Sequence, residues 1–143
     1  MKIKKLTATF GGLDGAALEP GDGLTVITAP NEGGKSTWAG FWKAMLYGID
    51  TRERDKTGFL ADKTRYLPWS GAAMAGEAQI EWEGREITLR RFPTRTNPLG
   101  GFEAVYTATG DPVPGLAAAN AGEQLTGVGK EVYLRSAFVG QGG

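Results

Sequence analysis

Cysteine and histidine are both absent from the 143 residues. That removes disulfide frameworks, thiolate zinc sites and the imidazole that serves most hydrolytic triads and zinc enzymes as base or ligand. A dominant charge is missing too. Sixteen Lys and Arg balance sixteen Asp and Glu, so no whole-chain field draws in nucleic acid or an acidic partner, and any DNA contact has to be local. No apolar run approaches the roughly 18 residues of a membrane span. The basic start, MKIKKLTATFGGLDG, is not followed by the apolar stretch of about 7–15 residues that a secretory signal needs. The expectation is an intracellular, cytoplasmic chain with no membrane partner. What the chain has in excess is glycine, 23 of 143 residues, more than twice the average usage of about 7%. These glycines are scattered rather than periodic, which places them in loops and excludes a collagen-like or low-complexity sequence. The length fits one domain with a real core.

Along the chain, Ile3 to Phe10 reads as a strand, with Ile3, Lys5 and Thr7 on one face and Leu6, Ala8 and Phe10 on the other, ended by Gly11 and Gly12. A second short strand runs through Ala17 and Leu18, and a β-branched run, Leu24 to Thr28, has the character of a buried strand. From Ser36 onward, Trp38, Phe41, Trp42, Met45, Leu46 and Ile49 recur at helical spacing, which predicts one amphipathic helix. Residues 50–71 show no sustained period and carry charge, so they read as a long, partly mobile loop. Glu77 to Trp82 and Arg85 to Phe92 alternate about a turn at Glu83 and Gly84, setting Ala78, Ile80 and Trp82 against Ile87 and Leu89 in a hairpin. A strand at Phe102 to Ala108 and helical pieces at Ala121 to Leu125 and Lys130 to Ala137 complete the reading.

Between the buried strand and the amphipathic helix lies APNEGGKST, residues Ala29 to Thr37. This is the pattern GxxxxGK[S/T] with Ala29 at its first glycine, in the strand-loop-helix setting the motif requires. Successive backbone N–H groups of such a loop converge on phosphate oxygens, and the helix start adds partial positive charge. Asn31, Glu32, Gly33, Gly34, Lys35, Ser36 and Thr37 are the candidate nucleotide-binding residues. Lys35 is suited to the outer phosphates, the Ser36 hydroxyl to Mg²⁺, and Thr37 to an inner phosphate or a cap. The plainer alternative is a helix N-terminus with Ser36 as its cap.

The order KIKKLTATFGGL followed by GDGLTVITAPNEGGKSTWAGFWKAMLYGID resembles the N-terminal lobe of the SMC, RecF and SbcC group of ABC-type ATPase heads, with YhaN-like AAA proteins most similar. Loops of these families commonly read GPNEAGKST, so Pro30, Asn31, Glu32, Gly34, Lys35, Ser36 and Thr37 match while Ala29 and Gly33 depart. RYLPWSG at 65–71 and the hairpin after it are similar to the YhaN-like arrangement. AFVGQGG resembles the Q-loop, which makes Gln141 the glutamine that reaches Mg²⁺ and the attacking water. On spacing alone, an exposed tail residue stands equally open for Gln141. The resemblance implies an α/β P-loop NTPase fold, an N-terminal lobe of an ABC-type head with an antiparallel β-hairpin layer over residues 1–143. It further implies ATP and Mg²⁺ as ligands, hydrolysis when a C-terminal half completes the site, an ATP-dependent head-to-head dimer, and DNA repair or chromosome maintenance as output.

A Walker B element needs about four apolar strand residues before an Asp. None of Asp14, Asp22, Asp50, Asp55, Asp62 or Asp111 has that setting, and no LSGGQ-like signature occurs. The chain therefore reads as half a site, inactive alone. Two other readings stay open: a self-contained P-loop kinase or GTPase, which would need a Walker B Asp and a base-recognition motif, and a non-catalytic anion-binding module. Arg52, Arg54, Lys63 and Arg65 could reach phosphates or simply be solvated. Tyr66, Pro68 and Trp69 could pack on the hairpin or lie against a base, and packing is the expectation. Arg85, Arg90, Arg91 and Arg95 form a basic strip that either touches DNA phosphates or protects a strand edge.

Overall fold

A computed structural model describes residues 2–19, 34–52, 54–57 and 61–134. Among these residues five strands form one antiparallel sheet: β1 (Lys2–Phe10), β2 (Leu13–Leu18), β3 (Ala75–Trp82), β4 (Arg85–Phe92) and β5 (Gly101–Tyr106). Their spatial order is β2-β1-β3-β4-β5. Helix α1 (Gly34–Tyr47) lies on one face, accompanied by the short helices α2 (Asp62–Arg65), α3 (Ala121–Thr126) and α4 (Lys130–Leu134). The architecture is mixed α/β. The expected hairpin layer is the middle of a larger sheet, and the expected strand at Leu24 to Thr28 lies outside the described residues.

The hairpin has the register that alternation predicts, Ala78 opposite Leu89 and Ile80 opposite Ile87. Its two-residue turn places Glu83 at φ 53° and Gly84 at φ 79°, the doubly positive backbone that follows the twist of the flanking strands. The reading of β1 needs a correction. Ile3 is buried together with Leu6, Ala8 and Phe10, because the pairing with β3 slips between Ile3 and Lys5. One extra residue in the strand reverses the parity of everything before it.

Helix α1 carries the core. Trp38, Phe41, Trp42, Met45 and Leu46 are buried against Leu6, Phe10, Ala78, Ile80, Ile87 and Leu89. Gly76 of β3 admits a close approach: a Cβ there would stand 2.5 Å from Phe41 Cε1 and 2.6 Å from Met45 Sδ. The helix ends at Gly48, whose φ of 78° and N–H to the Ala44 carbonyl, 2.8 Å, form a left-handed C-terminal cap. Ile49, on the predicted apolar face, is buried just beyond it.

The described part of residues 50–71 has more structure than its lack of periodicity suggested. Asp55 accepts the Ala61 N–H at 2.9 Å and Lys63 Nζ donates to the Thr51 carbonyl at 2.9 Å. Helix α2 follows, and Tyr66 is buried. Local side-chain bonds to the backbone, rather than an apolar period, organise this segment.

Candidate functional site

The element that positions the site is α1, and its two ends differ electrically. Its first turn, beginning at Gly34, contains no acidic residue, and its last turn contains no basic one. The negative end is met from the sheet. Arg91 of β4 is buried and donates from Nε to the Met45 carbonyl at 2.7 Å and from Nη2 to the Leu46 carbonyl at 3.2 Å and the Ala118 carbonyl at 3.1 Å. Its guanidinium also lies 4.9 Å from the centre of the Phe102 ring. Burial lowers its pKa to about 10, which leaves the cation charged at neutral pH, where it neutralises the helix C-terminus. A buried cation at the C-terminal end and a first turn without an acidic residue suit the binding of an anion at the N-terminus.

Around that N-terminus, the β1–β2 turn and residues 66–69 are joined backbone to backbone. The Gly11 N–H donates to the Tyr66 carbonyl at 2.8 Å, and the Trp69 N–H donates to the Gly11 carbonyl at 2.9 Å. Tyr66 stacks on Phe10 with ring centres 4.4 Å apart and planes 20° apart. It reaches α1 at Gly40, where a Cβ would stand 2.5 Å from the Tyr66 hydroxyl. Thr37, in the first turn of α1, faces Gly11, whose φ of 58° requires glycine or strain; a Cβ there would lie 3.4 Å from Thr37 Cγ2.

Of the candidate binding residues, Gly34, Lys35, Ser36 and Thr37 open α1. Ala29, Asn31, Glu32, Gly33 and Gln141 lie outside the described residues. Among the described residues no group of three acidic side chains converges where a metal could bind. Asp14 is exposed on the edge strand β2, and Asp50 is engaged by Arg52 at 3.2 Å. The hydrogen bonds from Arg52 hold the Asp50 carboxyl below its usual range.

The basic strip on the hairpin does not form. Arg91 points into the core, as described above. Arg90 on the opposite face bridges Glu77 and Glu103, each at 2.8 Å, and Arg85 lies 3.6 Å over the Tyr106 ring. Arg95 is exposed and sits beyond β4, away from the strand that was to carry the strip. The sheet face opposite α1 instead carries a shallow groove of about 300 Å³ lined by Thr7, Thr9, Ala75, Glu77, Arg90 and Phe92. Sequence reasoning passed over Arg91, although the signal existed: it continues the buried alternation of Ile87 and Leu89.

A family model described as an AAA domain matches residues 1–135. The chain belongs to that family, which supports an ATP-binding, ATPase-type domain. No curated protein and no solved structure matches the chain. Among the described residues no helix is long and apolar enough to cross a membrane.

Proposed function

We propose that the chain is the nucleotide-binding lobe of an ATPase head of the SMC, RecF and SbcC type, nearest to YhaN-like proteins, and that it binds Mg-ATP at residues 29–37. The observation that supports this reading most is the polarity of α1, which has no acid in its first turn and a buried guanidinium at its end. In the proposed site, backbone N–H groups from Gly33 to Ser36 hold the β-phosphate, Lys35 pairs with the outer phosphates and Thr37 meets an inner one. Asn31 and Glu32 line the loop. The Ser36 hydroxyl and the Gln141 amide oxygen would hold Mg²⁺, which would supply charge stabilisation to the transferred phosphoryl group.

Hydrolysis needs oriented water and groups that meet the developing charge, beyond contacts that hold ground and transition states alike. The sequence offers no Walker B or signature element. Completion by a C-terminal half and ATP-dependent pairing of two heads are therefore part of the proposal, as is a role in DNA repair or chromosome maintenance. A steady-state phosphate-release assay tests it on the chain alone, on the chain reconstituted with its C-terminal half, and on the pair carrying Gln141→Ala. The expected order is negligible turnover, Mg-dependent turnover, and reduced turnover with ATP affinity retained. Robust turnover by the chain alone, lost in Lys35→Ala, favours a self-contained P-loop enzyme instead.

A further inference from the structure

Gly40 stands in the interior of α1, where alanine would make the better helix, and Tyr66 explains the glycine. A Cβ on Gly40 would lie 2.5 Å from the Tyr66 hydroxyl oxygen and 2.7 Å from Cζ. The tip of the ring therefore presses on bare helix backbone, one turn after Thr37 and on the same side of the helix. The rest of the residue is held at the β1–β2 turn. Its ring stacks on Phe10 with centres 4.4 Å apart, and its carbonyl accepts the Gly11 N–H at 2.8 Å. Phe10 in turn meets Phe41 of α1 edge-on at 5.5 Å, so Tyr66 bears on the helix both directly and through Phe10. Gly11 closes the node: a Cβ there would lie 3.4 Å from Thr37 Cγ2 and 3.6 Å from Tyr66 Cδ1. Leu67 and Trp69, just beyond Tyr66, are exposed at 55% and 84%, so Tyr66 is a single wedge driven in from the surface and not part of a buried run.

We propose that Tyr66 is a positioning residue for the phosphate-binding turn of α1: wedged between Phe10 and Gly40, it sets where that turn stands and ties nucleotide occupancy to the order of residues 66–69. The inference rests on the nucleotide-binding reading above and assigns the residue that holds this end of the helix. Tyr66 acts through α1 and touches no ligand. Arg91 fixes the opposite end. The N–H groups at a helix start hold phosphate only in the direction they face, so a tilt of the first turn costs affinity. Linkage makes the effect mutual: a bound phosphate that favours one placement of the first turn favours the seated wedge as well.

The test titrates Mg-ATP into the wild-type chain and its variants at a temperature where circular dichroism shows each of them folded. Tyr66→Leu and Gly40→Ala are each expected to weaken binding by about tenfold, while Tyr66→Phe, which keeps the ring, stays near the wild-type affinity. The shorter leucine leaves room for the alanine methyl, so the double variant should bind like Tyr66→Leu alone. Leu125→Ala removes buried volume from α3, which Tyr47 joins to the far end of α1; it should lower stability and leave ATP affinity unchanged. In the wild-type chain Mg-ATP should slow amide hydrogen exchange at Gly11 and Trp69, whose N–H groups bind the Tyr66 and Gly11 carbonyls, and in Tyr66→Leu it should not. Wild-type affinity in Tyr66→Leu overturns the proposal, as do losses that multiply in the double variant or an equal loss in Leu125→Ala. If Tyr66→Leu does not fold, undiminished affinity in Gly40→Ala, or exchange at Gly11 and Trp69 indifferent to ATP, overturns it instead. Failure of the underlying reading looks different: Mg-ATP does not bind the wild-type chain, or binds Lys35→Ala undiminished.

Discussion

The Arg91 Nε–H donates to the Met45 carbonyl oxygen across 2.7 Å, joining a central strand of the sheet to the last turn of α1. The bond fixes α1 to the sheet at the end opposite to the glycine loop. Arg91→Met keeps much of the volume but leaves the helix-end carbonyls without their charged donor. The expected cost is about 3 kcal/mol, read as a lower urea midpoint at an unchanged slope. Arg91→Lys, with a single ammonium in place of the planar fork, should fall between the two.

At Gly76 the side chains of α1 press onto bare sheet backbone. Gly76→Ala forces a methyl to within 2.5 Å of the Phe41 ring and 2.6 Å of Met45 Sδ, both fully buried. Repacking there should cost about 1–3 kcal/mol, measured by thermal or urea unfolding. Gly76→Ala unfolding at the wild-type midpoint would show that α1 can shift away from β3 freely.

Tyr47 fastens the end of α1 to the C-terminal helices. Its hydroxyl donates to the Val128 carbonyl at 2.9 Å and lies 3.0 Å from the Thr126 hydroxyl, and its ring lies so close to Gly122 that a Cβ would collide with it. Burial raises the pKa of the hydroxyl, so it stays a donor at neutral pH. Tyr47→Phe should lower stability by about 1 kcal/mol and raise amide hydrogen exchange in α3 more than in β3.

The parts of this architecture legible in the sequence are those governed by a regular period. The face of α1 and the β3–β4 register follow from spacing alone, because Trp38, Phe41, Trp42 and Met45 repeat at 3.6 and Ala78, Ile80, Ile87 and Leu89 at 2. The parity of Ile3 was lost at a bulge, which leaves no compositional mark in KIKK. Arg91 was misassigned because a charge was weighed above its place in the alternation, although tertiary carbonyls can satisfy a buried guanidinium. The order within 50–71 was hidden because it comes from individual bonds, such as Asp55 to the Ala61 N–H, that have no periodic signature. At the site, residues 29–33 of the motif lie outside the described residues, and the bond from the Trp69 N–H to the Gly11 carbonyl emerged only in three dimensions.

The central claim, a phosphate-binding loop that ends in α1, is tested most directly by calorimetric titration of Mg-ATP into the wild-type chain and into Lys35→Ala. Loss of a charge-assisted bond to phosphate, roughly 1.5–3 kcal/mol, predicts at least about tenfold weaker binding in the variant with the fold intact by circular dichroism. Equal affinity in the two proteins, or no ATP binding to the wild-type chain, would contradict the account.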